Sequence, residues 1–446
     1  MRSSSLPTIV LGLLCSPAYA KIFCFPLWKE QISHYATAHP SNILPDIDQN
    51  QNQKPMILSH NNDVRQVVHD TGVPISDVFD YWAMYVVNIT LGTPPQTFRA
   101  VVDLNWADTF VSSTTRCGGE RCKAFSQRYN SSASSSYTEN GTFVPMSYFT
   151  INGLGYVSSD DFMLGTTKVP NLDFIELCAC PLGNHVTPDL ELFDGVLGLA
   201  MGTERPPGYR DQQPSRIASP FRQMTEQGVL DKNLFSVLWP TGSESTGDLM
   251  FGGYNESLFE GGLVGHQLFP EGTTEWKIQV TTVYLLIDFE RDEFHETAIK
   301  EIAVKPQPGQ DMTALLSTRT PFISLPSAVT NIIKSLIDLE VNTCRPVVSM
   351  DCDRRHELPD VVIEFGNQNV TMHGEDYITK YFLTPEERNQ KGCEDVVAIC
   401  VAAIFESPTW GDDENLMTLG MGFLRKVYTV FDWDEKSISF GKLRDG

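Results

Sequence analysis

Two segments of this chain place a polar residue directly after an apolar run, one in each half of the sequence. Asp103 follows two valines in the first half, and Ser317 follows two leucines in the second half. At similar intervals after them come two apolar segments that end in glycine, at Gly198 and Gly420. The chain therefore contains a weak internal repeat, with a carboxylate in one copy and a hydroxyl in the other.

A carboxylate and a hydroxyl support different chemistry. Peptide hydrolysis without a metal or a covalent nucleophile needs one group that takes a proton from water and one that gives a proton to the substrate. Two aspartates about 3 Å apart can do both, because they share one proton and their pKa values separate. The hydroxyl of Ser317 does not ionise at physiological pH, so it cannot replace a second aspartate.

Longer motifs surround both positions, and they are correctly ordered along the chain: Asn88–Phe98 before Asp103, then Phe193–Ala200, and Met417–Leu424 after Ser317. Together they strongly resemble the pepsin family of aspartic endopeptidases, from about Tyr85 to Lys442. The resemblance implies an all-β, bilobal acid-protease fold with a few short helices and a cleft between the lobes. It also implies that Asp103 and Ser317 occupy the two catalytic positions.

The chain departs from the family pattern at both positions. The family reads Asp-Thr-Gly-Ser at the first position, where this chain has Asp103-Leu104-Asn105-Trp106. It reads Asp-Thr-Gly-Thr at the second, where this chain has Ser317-Thr318-Arg319-Thr320. Leu104 lacks the hydroxyl that would bond across the lobes. Asn105 and Arg319 stand where glycine lets the backbone approach closely.

Arg319 raises a specific hypothesis, which is that its guanidinium pairs with Asp103. At about 4 Å and an effective dielectric constant near 20, this attraction is about 4 kcal/mol. The alternative is that Arg319 points into solvent. Three functional interpretations follow: a pseudoprotease with a peptide-binding cleft, a weak acid-active endopeptidase, or an extracellular interaction protein that does not use the cleft.

The resemblance places a flap over the cleft at Met146 to Phe162, with its turn at Asn152-Gly153. Tyr148 matches the tyrosine of the flap, and Tyr148, Thr318 and Arg319 are the expected ligand-contacting residues. The alternative for Tyr148 is an ordinary packed side chain. Trp106 and Phe110 either fill space near the site or are plain core aromatics. The expected ligand is a peptide or protein, and a monomer is expected.

No cofactor or metal is expected. His295-Glu296 and His356-Glu357 begin like zinc-binding helices, but neither segment has the second histidine. The formal net charge of −23 argues against nucleic acid or an anionic membrane as a partner.

Residues 1–20 match a secretory signal, with Arg2, an apolar stretch and a small-residue cleavage site at Ala18-Tyr19-Ala20. No later apolar run is long enough to span a bilayer. The chain is therefore expected outside the cell or in an acidic endolysosomal lumen. We divide the remainder into a prosegment-like region at 21–80, an N-terminal lobe at 81–262 and a C-terminal lobe at 263–446.

The prosegment-like region has an unusual charge for its position. Active zymogens of the family usually carry a basic prosegment over an acidic cleft, whereas residues 21–80 hold four basic and seven acidic residues. A cleft that needs no silencing has no use for a basic segment. Whether the region is removed stays open.

Export also predicts covalent modifications. Asn130, Asn140, Asn255 and Asn369 are glycosylation candidates in sequons, while the sequon at Asn88 lies in a predicted strand and is expected to be unoccupied. By resemblance, disulfides join Cys117 to Cys122 and Cys352 to Cys400, which leaves Cys344 with Cys393 as an extra bridge. Partners for Cys24, Cys178 and Cys180 stay open.

Overall fold

The computed structural model describes the greater part of the chain from residue 83 onward, together with one earlier segment. The described residues are 23–31, 83–115, 127–148, 151–164, 167–179, 193–202, 217–240, 247–291, 296–320, 322–337, 340–341, 344, 348–383, 385–406 and 415–444. Cys117 and Cys122 lie outside these residues, as does most of the predicted prosegment-like region.

Strands dominate both halves of the described chain. Those of the first half are β1 (Phe23–Gln31), β2 (Ala83–Leu91), β3 (Gln96–Asp103), β4 (Phe110–Ser112), β5 (Thr138–Tyr148), β6 (Ile151–Leu164), β7 (Thr167–Ala179), β8 (Gly195–Gly198), β9 (Leu234–Leu238) and β10 (Gly247–Phe251).

The second half also consists mainly of strands, most of them in sheets of two to five strands. Its strands are β11 (Phe259–Gln267), β12 (Lys277–Val280), β13 (Thr282–Arg291), β14 (Glu296–Val304), β15 (Met312–Leu316), β16 (Ile323–Leu325), β17 (Glu340–Val341), β18 (Val348–Ser349), β19 (Asp360–Phe365), β20 (Gln368–Met372), β21 (Ile378–Phe382), β22 (Ala398–Ala402), β23 (Ile404–Glu406), β24 (Leu416–Leu419), β25 (Val427–Asp432) and β26 (Ser437–Leu443).

The helices of the described residues are few and short. They are α1 (Pro220–Glu226), α2 (Ser327–Leu336), α3 (Gly374–Tyr377), α4 (Pro385–Arg388) and α5 (Met421–Leu424), with 3-10 turns at Ser131–Ala133, Glu256–Leu258 and Cys352–Glu357. No described helix is long and apolar enough to cross a membrane. The all-β fold with a few short helices is thereby confirmed.

One large sheet joins strands from both halves of the chain. Its order is β11-β26-β25-β9-β10-β1-β2-β3-β8-β4-β7-β6-β5. The expected lobe boundary between residues 262 and 263 falls inside β11. Strand β1, from the predicted prosegment-like region, pairs with β10 through Phe23–Leu27 and with β2 through Trp28–Gln31. This segment therefore links the two parts of the sheet through its backbone.

The internal repeat has a clear structural basis. In the first copy β3 pairs in parallel with β8, which sets Asp103 opposite Gly198. In the second copy β15 pairs in parallel with β24, and Leu316 lies opposite Leu419, one residue before Gly420. Both glycines are needed, because an added Cβ would lie 2.3 Å from the carbonyl oxygen of Ala107 at Gly198 and 2.1 Å from that of Phe322 at Gly420.

The flap hairpin differs from the prediction at its turn. Strands β5 and β6 are paired up to Tyr148 and Ile151, and Asn152 lies opposite Ser147. Asn152 and Gly153 are therefore inside β6, so the turn predicted at these two residues is wrong. The register of this long hairpin outweighs the local turn preference of the Asn-Gly pair.

Two of the predicted disulfides are present, Cys344–Cys393 and Cys352–Cys400. They tie the part of the C-terminal half that contains β21 and β22. Cys178 is buried in β7, and the side chain of Cys24 and all of Cys180 lie outside what the structure describes.

Candidate functional site

The candidate site lies where the loops after β3 and β15 meet. Each loop is held from below by the neighbouring parallel strand. The N–H of Leu199 donates to the carbonyl oxygen of Asp103 at 2.8 Å, and the N–H of Ser317 donates to that of Leu419 at 3.0 Å. The two loops therefore leave their sheets in a similar way.

Within each loop the polar side chain accepts a hydrogen bond from the residue two positions later. The N–H of Asn105 donates to Oδ1 of Asp103 at 2.8 Å, and the N–H of Arg319 donates to Oγ of Ser317 at 3.3 Å. Asp and Ser both form such local turns, the hydroxyl more weakly. Ser317 therefore keeps the local bond that a carboxylate would make, without the charge.

The predicted pair between Arg319 and Asp103 is present. Nε of Arg319 donates to Oδ2 of Asp103 at 2.8 Å. Both residues are buried, with 5% of Arg319 and 1% of Asp103 exposed to solvent. The alternative, in which Arg319 points into solvent, is wrong. A buried charge of this kind needs a partner, because a lone ion in a protein interior costs several kcal/mol.

Two further hydrogen bonds cross between the loops. The N–H of Leu104 donates to Oγ1 of Thr318 at 3.1 Å, and Nδ2 of Asn105 donates to the carbonyl oxygen of Leu316 at 2.9 Å. Sequence reasoning missed the second bond, because it treated Asn105 only as a lost glycine. The amide of Asn105 supplies a cross-lobe bond that the side chain of Leu104 cannot make.

Aromatic rings cover the ion pair. The guanidinium carbon of Arg319 lies 4.9 Å from the ring centroid of Trp106 and 5.1 Å from that of Tyr148. Tyr148 contacts Trp106 and Phe110 edge to face, at centroid distances of 5.2 and 5.5 Å. Trp106 and Phe110 therefore fill space at the site, and Tyr148 is both packed and part of the flap hairpin.

Comparison with known proteins identifies the family. The family model described as eukaryotic aspartyl protease matches residues 84–443. The chain belongs to the pepsin-like aspartyl protease family. Vacuolar protease A of Aspergillus fumigatus is 27% identical over 452 residues, which cover 100% of both chains. Vacuolar protease A of Neurospora crassa is 27% identical over 82% of this chain and 80% of the relative.

A mammalian relative is similarly distant. Renin of Canis lupus familiaris is 28% identical over 364 residues, covering 81% of this chain and 79% of renin. The vacuolar relatives agree with the compartment that the sequence predicts, a lumen or the extracellular space.

Peptide hydrolysis by a shared-proton pair uses two carboxylates, and this site has one at the two catalytic positions. Asp103 is bonded to a guanidinium and to a backbone N–H. The second position offers the hydroxyl of Ser317, which is itself 5% exposed. The arrangement can hold the lobes together through charge and hydrogen bonds. It lacks, at these positions, a second acid that could protonate a leaving amine.

The glycosylation candidates can be placed on the surface. Asn130, Asn140 and Asn369 are exposed and Asn255 is half-buried. Asn88 lies in β2 as predicted, with an exposed side chain.

Proposed function

We propose that this chain is a pseudoprotease, a member of the pepsin-like family that has kept the fold and lost peptide hydrolysis. The observation that carries the proposal is the 2.8 Å ion pair between Arg319 and Asp103, with Ser317 in the second catalytic position. The guanidinium bonds to the carboxylate oxygen that would otherwise be available to activate water. The buried carboxylate is committed to an internal partner.

The size of the expected loss follows from the chemistry. Losing one general acid or base lowers a rate by about 10²–10⁴. Catalytic groups that act as one unit can cost about 10⁶ when one is removed. One of the two catalytic positions is altered here, at Ser317, and the neighbouring Leu104, Asn105 and Trp106 differ from the family pattern as well. We therefore expect a rate near the uncatalysed background.

The test is a peptidase assay of the purified protein beside a repaired variant. The repaired variant carries Leu104→Thr, Asn105→Gly, Trp106→Ser, Ser317→Asp and Arg319→Gly. Both are incubated with a denatured protein substrate between about pH 3 and 6, where a shared-proton carboxylate pair is active. The unrepaired chain should show no cleavage above that of its Asp103→Asn variant.

The Asp103→Asn variant controls for contaminating proteases, since their activity does not depend on Asp103. Cleavage by the unrepaired chain that disappears with Asp103→Asn, and that a peptide-like aspartic-protease inhibitor blocks, would support the alternative of a weak acid-active endopeptidase. It would overturn the pseudoprotease proposal. Cleavage by the repaired variant alone would support the proposal directly.

The partner we propose is a peptide or protein, bound by an exported or lumenal protein. A peptide in the cleft would add main-chain hydrogen bonds as an extended strand does. The burial of Arg319 and Tyr148 favours a second candidate, binding through the outer faces without the cleft, because the centre of the cleft is already filled by side chains. The monomeric state and the secretory signal stay predictions.

A further inference from the structure

The flap hairpin packs on the first lobe through Tyr148. Tyr148 is the last residue of β5, paired with Ile151 at the start of β6. Its side chain is 1% exposed and packs edge to face on Trp106 and Phe110. The last described residue of β5 is thus part of a buried aromatic cluster on the first lobe.

Arg319 adds a contact from the opposite half of the chain. Its guanidinium faces the rings of Tyr148 and Trp106 at about the distance where a cation is attracted to an aromatic face. The same guanidinium bonds to Asp103 through Nε. One side chain therefore connects the flap, the loop after β3 and the loop after β15.

A ligand that crosses the centre of the cleft would need the space that these groups occupy. Asp103, Trp106, Tyr148, Ser317 and Arg319 are each at most 5% exposed. We propose that Arg319 is an internal latch, which holds the flap closed over Asp103 and keeps extended peptides out of the centre of the cleft. This inference rests on the proposed function, because it concerns the regulation of the same site.

The latch has a quantitative consequence. When a ligand binds only the open form, its apparent dissociation constant equals the intrinsic constant divided by the open fraction. To clear the centre of the cleft, Tyr148 must separate from Arg319, and Arg319 must also leave Asp103 and Trp106, so a buried ion pair and two cation–ring contacts are lost. We expect an open fraction below about 1%, so removing the latch should tighten binding by at least about 100-fold.

The chain offers a matched control arginine. Arg222 also bonds a carboxylate through Nε, to Glu226 at 2.8 Å, and its guanidinium lies 5.7 Å from the ring of Trp433. It differs in lying partly exposed on α1, with 36% of its side chain accessible to solvent. Arg222→Ala therefore removes the same types of contact without touching the flap.

The experiment measures binding of an extended peptide without a statine or other transition-state group by titration calorimetry, because such a group would depend on the carboxylate pair. It compares the unmodified chain, Arg319→Ala, Arg222→Ala and the double variant Asp103→Asn with Arg319→Ala. The double variant leaves no unpaired buried charge, so it keeps the test valid if Arg319→Ala alone does not fold. Hydrogen exchange of the amides in β5 and β6 is followed in the same four proteins.

The latch predicts weak or undetectable binding by the unmodified chain and by Arg222→Ala. It predicts at least about 100-fold tighter binding and faster exchange in the hairpin for the variants that lack Arg319. Tight binding by the unmodified chain without hydrolysis would overturn the latch and leave the pseudoprotease proposal intact. Folded Arg319 variants that neither bind nor exchange faster would also overturn it. Asp103-dependent hydrolysis by the unmodified chain would instead overturn the proposed function.

Discussion

The loops after β3 and β15 share a backbone frame and differ in charge. Each is supported by a parallel strand that ends near a close-packed glycine, and each has a side chain that accepts the N–H two residues later. The first loop supplies an anion, Asp103, and the second supplies a cation, Arg319. A frame suited to two carboxylates therefore holds a salt bridge.

An aspartate at the second position would meet two requirements at once. One is local, a hydrogen-bond acceptor that shapes the loop, and Ser317 still meets it. The other is chemical, a second ionisable acid, and Ser317 cannot meet it. Ser at this position can therefore keep the shape of the loop without supplying a second acid.

The largest expected effect comes from removing the cation alone. Arg319→Ala leaves the carboxylate of Asp103 buried without its partner and should lower the free energy of unfolding by about 3–5 kcal/mol. Urea denaturation at neutral pH measures this change. Arg222→Ala, which breaks an exposed pair, should cost no more than about 1 kcal/mol.

The double variant with Asp103→Asn tests whether the cost is electrostatic. It should recover much of the stability lost in Arg319→Ala, because no unpaired charge remains. Equal losses of stability in Arg319→Ala and Arg222→Ala would show that the buried pair between the two loops contributes no more than an exposed pair.

A half-buried carboxylate shows what happens where desolvation dominates. Burial raises the pKa of Asp248, on β10, to about 6 from its ordinary value of 3.8. The folded state therefore holds this proton more tightly than the unfolded chain does, and stability falls as the pH rises from about 4 to about 6. Two pKa units correspond to at most about 3 kcal/mol, lost fully above that window.

Asp248→Asn should remove this pH dependence. We expect the stability of the variant relative to the unmodified chain to increase by about 2 kcal/mol between pH 4 and pH 7. Urea denaturation at pH 4, 5 and 7 measures the difference. Parallel stability curves for the two proteins would show that the carboxyl of Asp248 is not penalised by burial.

Much of this architecture could be predicted from the sequence, because it depends on local patterns and on long family motifs. Apolar residues at three-to-four spacing in 328–339 and the glycine stop after 219–227 indicate two helices, and α2 and α1 lie there. The Gly-Thr-Pro-Pro segment at 92–95 indicates a hairpin, and β2 and β3 flank it. The contact of Arg319 with Asp103 could also be predicted, since the two motifs face each other in the family fold and carry opposite charges.

Other features depend on contacts that no local pattern encodes. The amide of Asn105 bonds to a carbonyl that is 211 residues away in sequence, so its role needed the folded arrangement. The Asn152-Gly153 pair has the residues of a tight turn, yet the pairing of β6 with β5 and β7 fixes a different register. The position of Phe23–Gln31 in the large sheet likewise depends on distant partners.

The two cross-loop hydrogen bonds should contribute equally if the loops are equivalent supports. Asn105→Ala removes the bond to Leu316, and Thr318→Val removes the acceptor of the Leu104 N–H. Each should cost about 1 kcal/mol, the usual net value of a buried hydrogen bond. Thermal or urea denaturation measures both, with the exposed Ser335→Ala as a control below about 0.5 kcal/mol. If only Thr318→Val lowered the stability, the bond from Asn105 to Leu316 would not compensate for the hydroxyl that Leu104 lacks.

The smallest expected effect tests the frame itself. Ser317→Ala removes one hydroxyl bond of 3.3 Å and should cost less than about 1 kcal/mol, because the bond from the Ser317 N–H to Leu419 and the close packing at Gly420 remain.

Ser317→Asp should fold equally well, since its carboxylate can accept the same N–H. It should not cleave peptides while Arg319 is present, because the guanidinium stays bonded to the carboxylate of Asp103. Denaturation and the peptidase assay measure the two variants together. Cleavage by Ser317→Asp alone would show that the cation in the second loop does not block the chemistry.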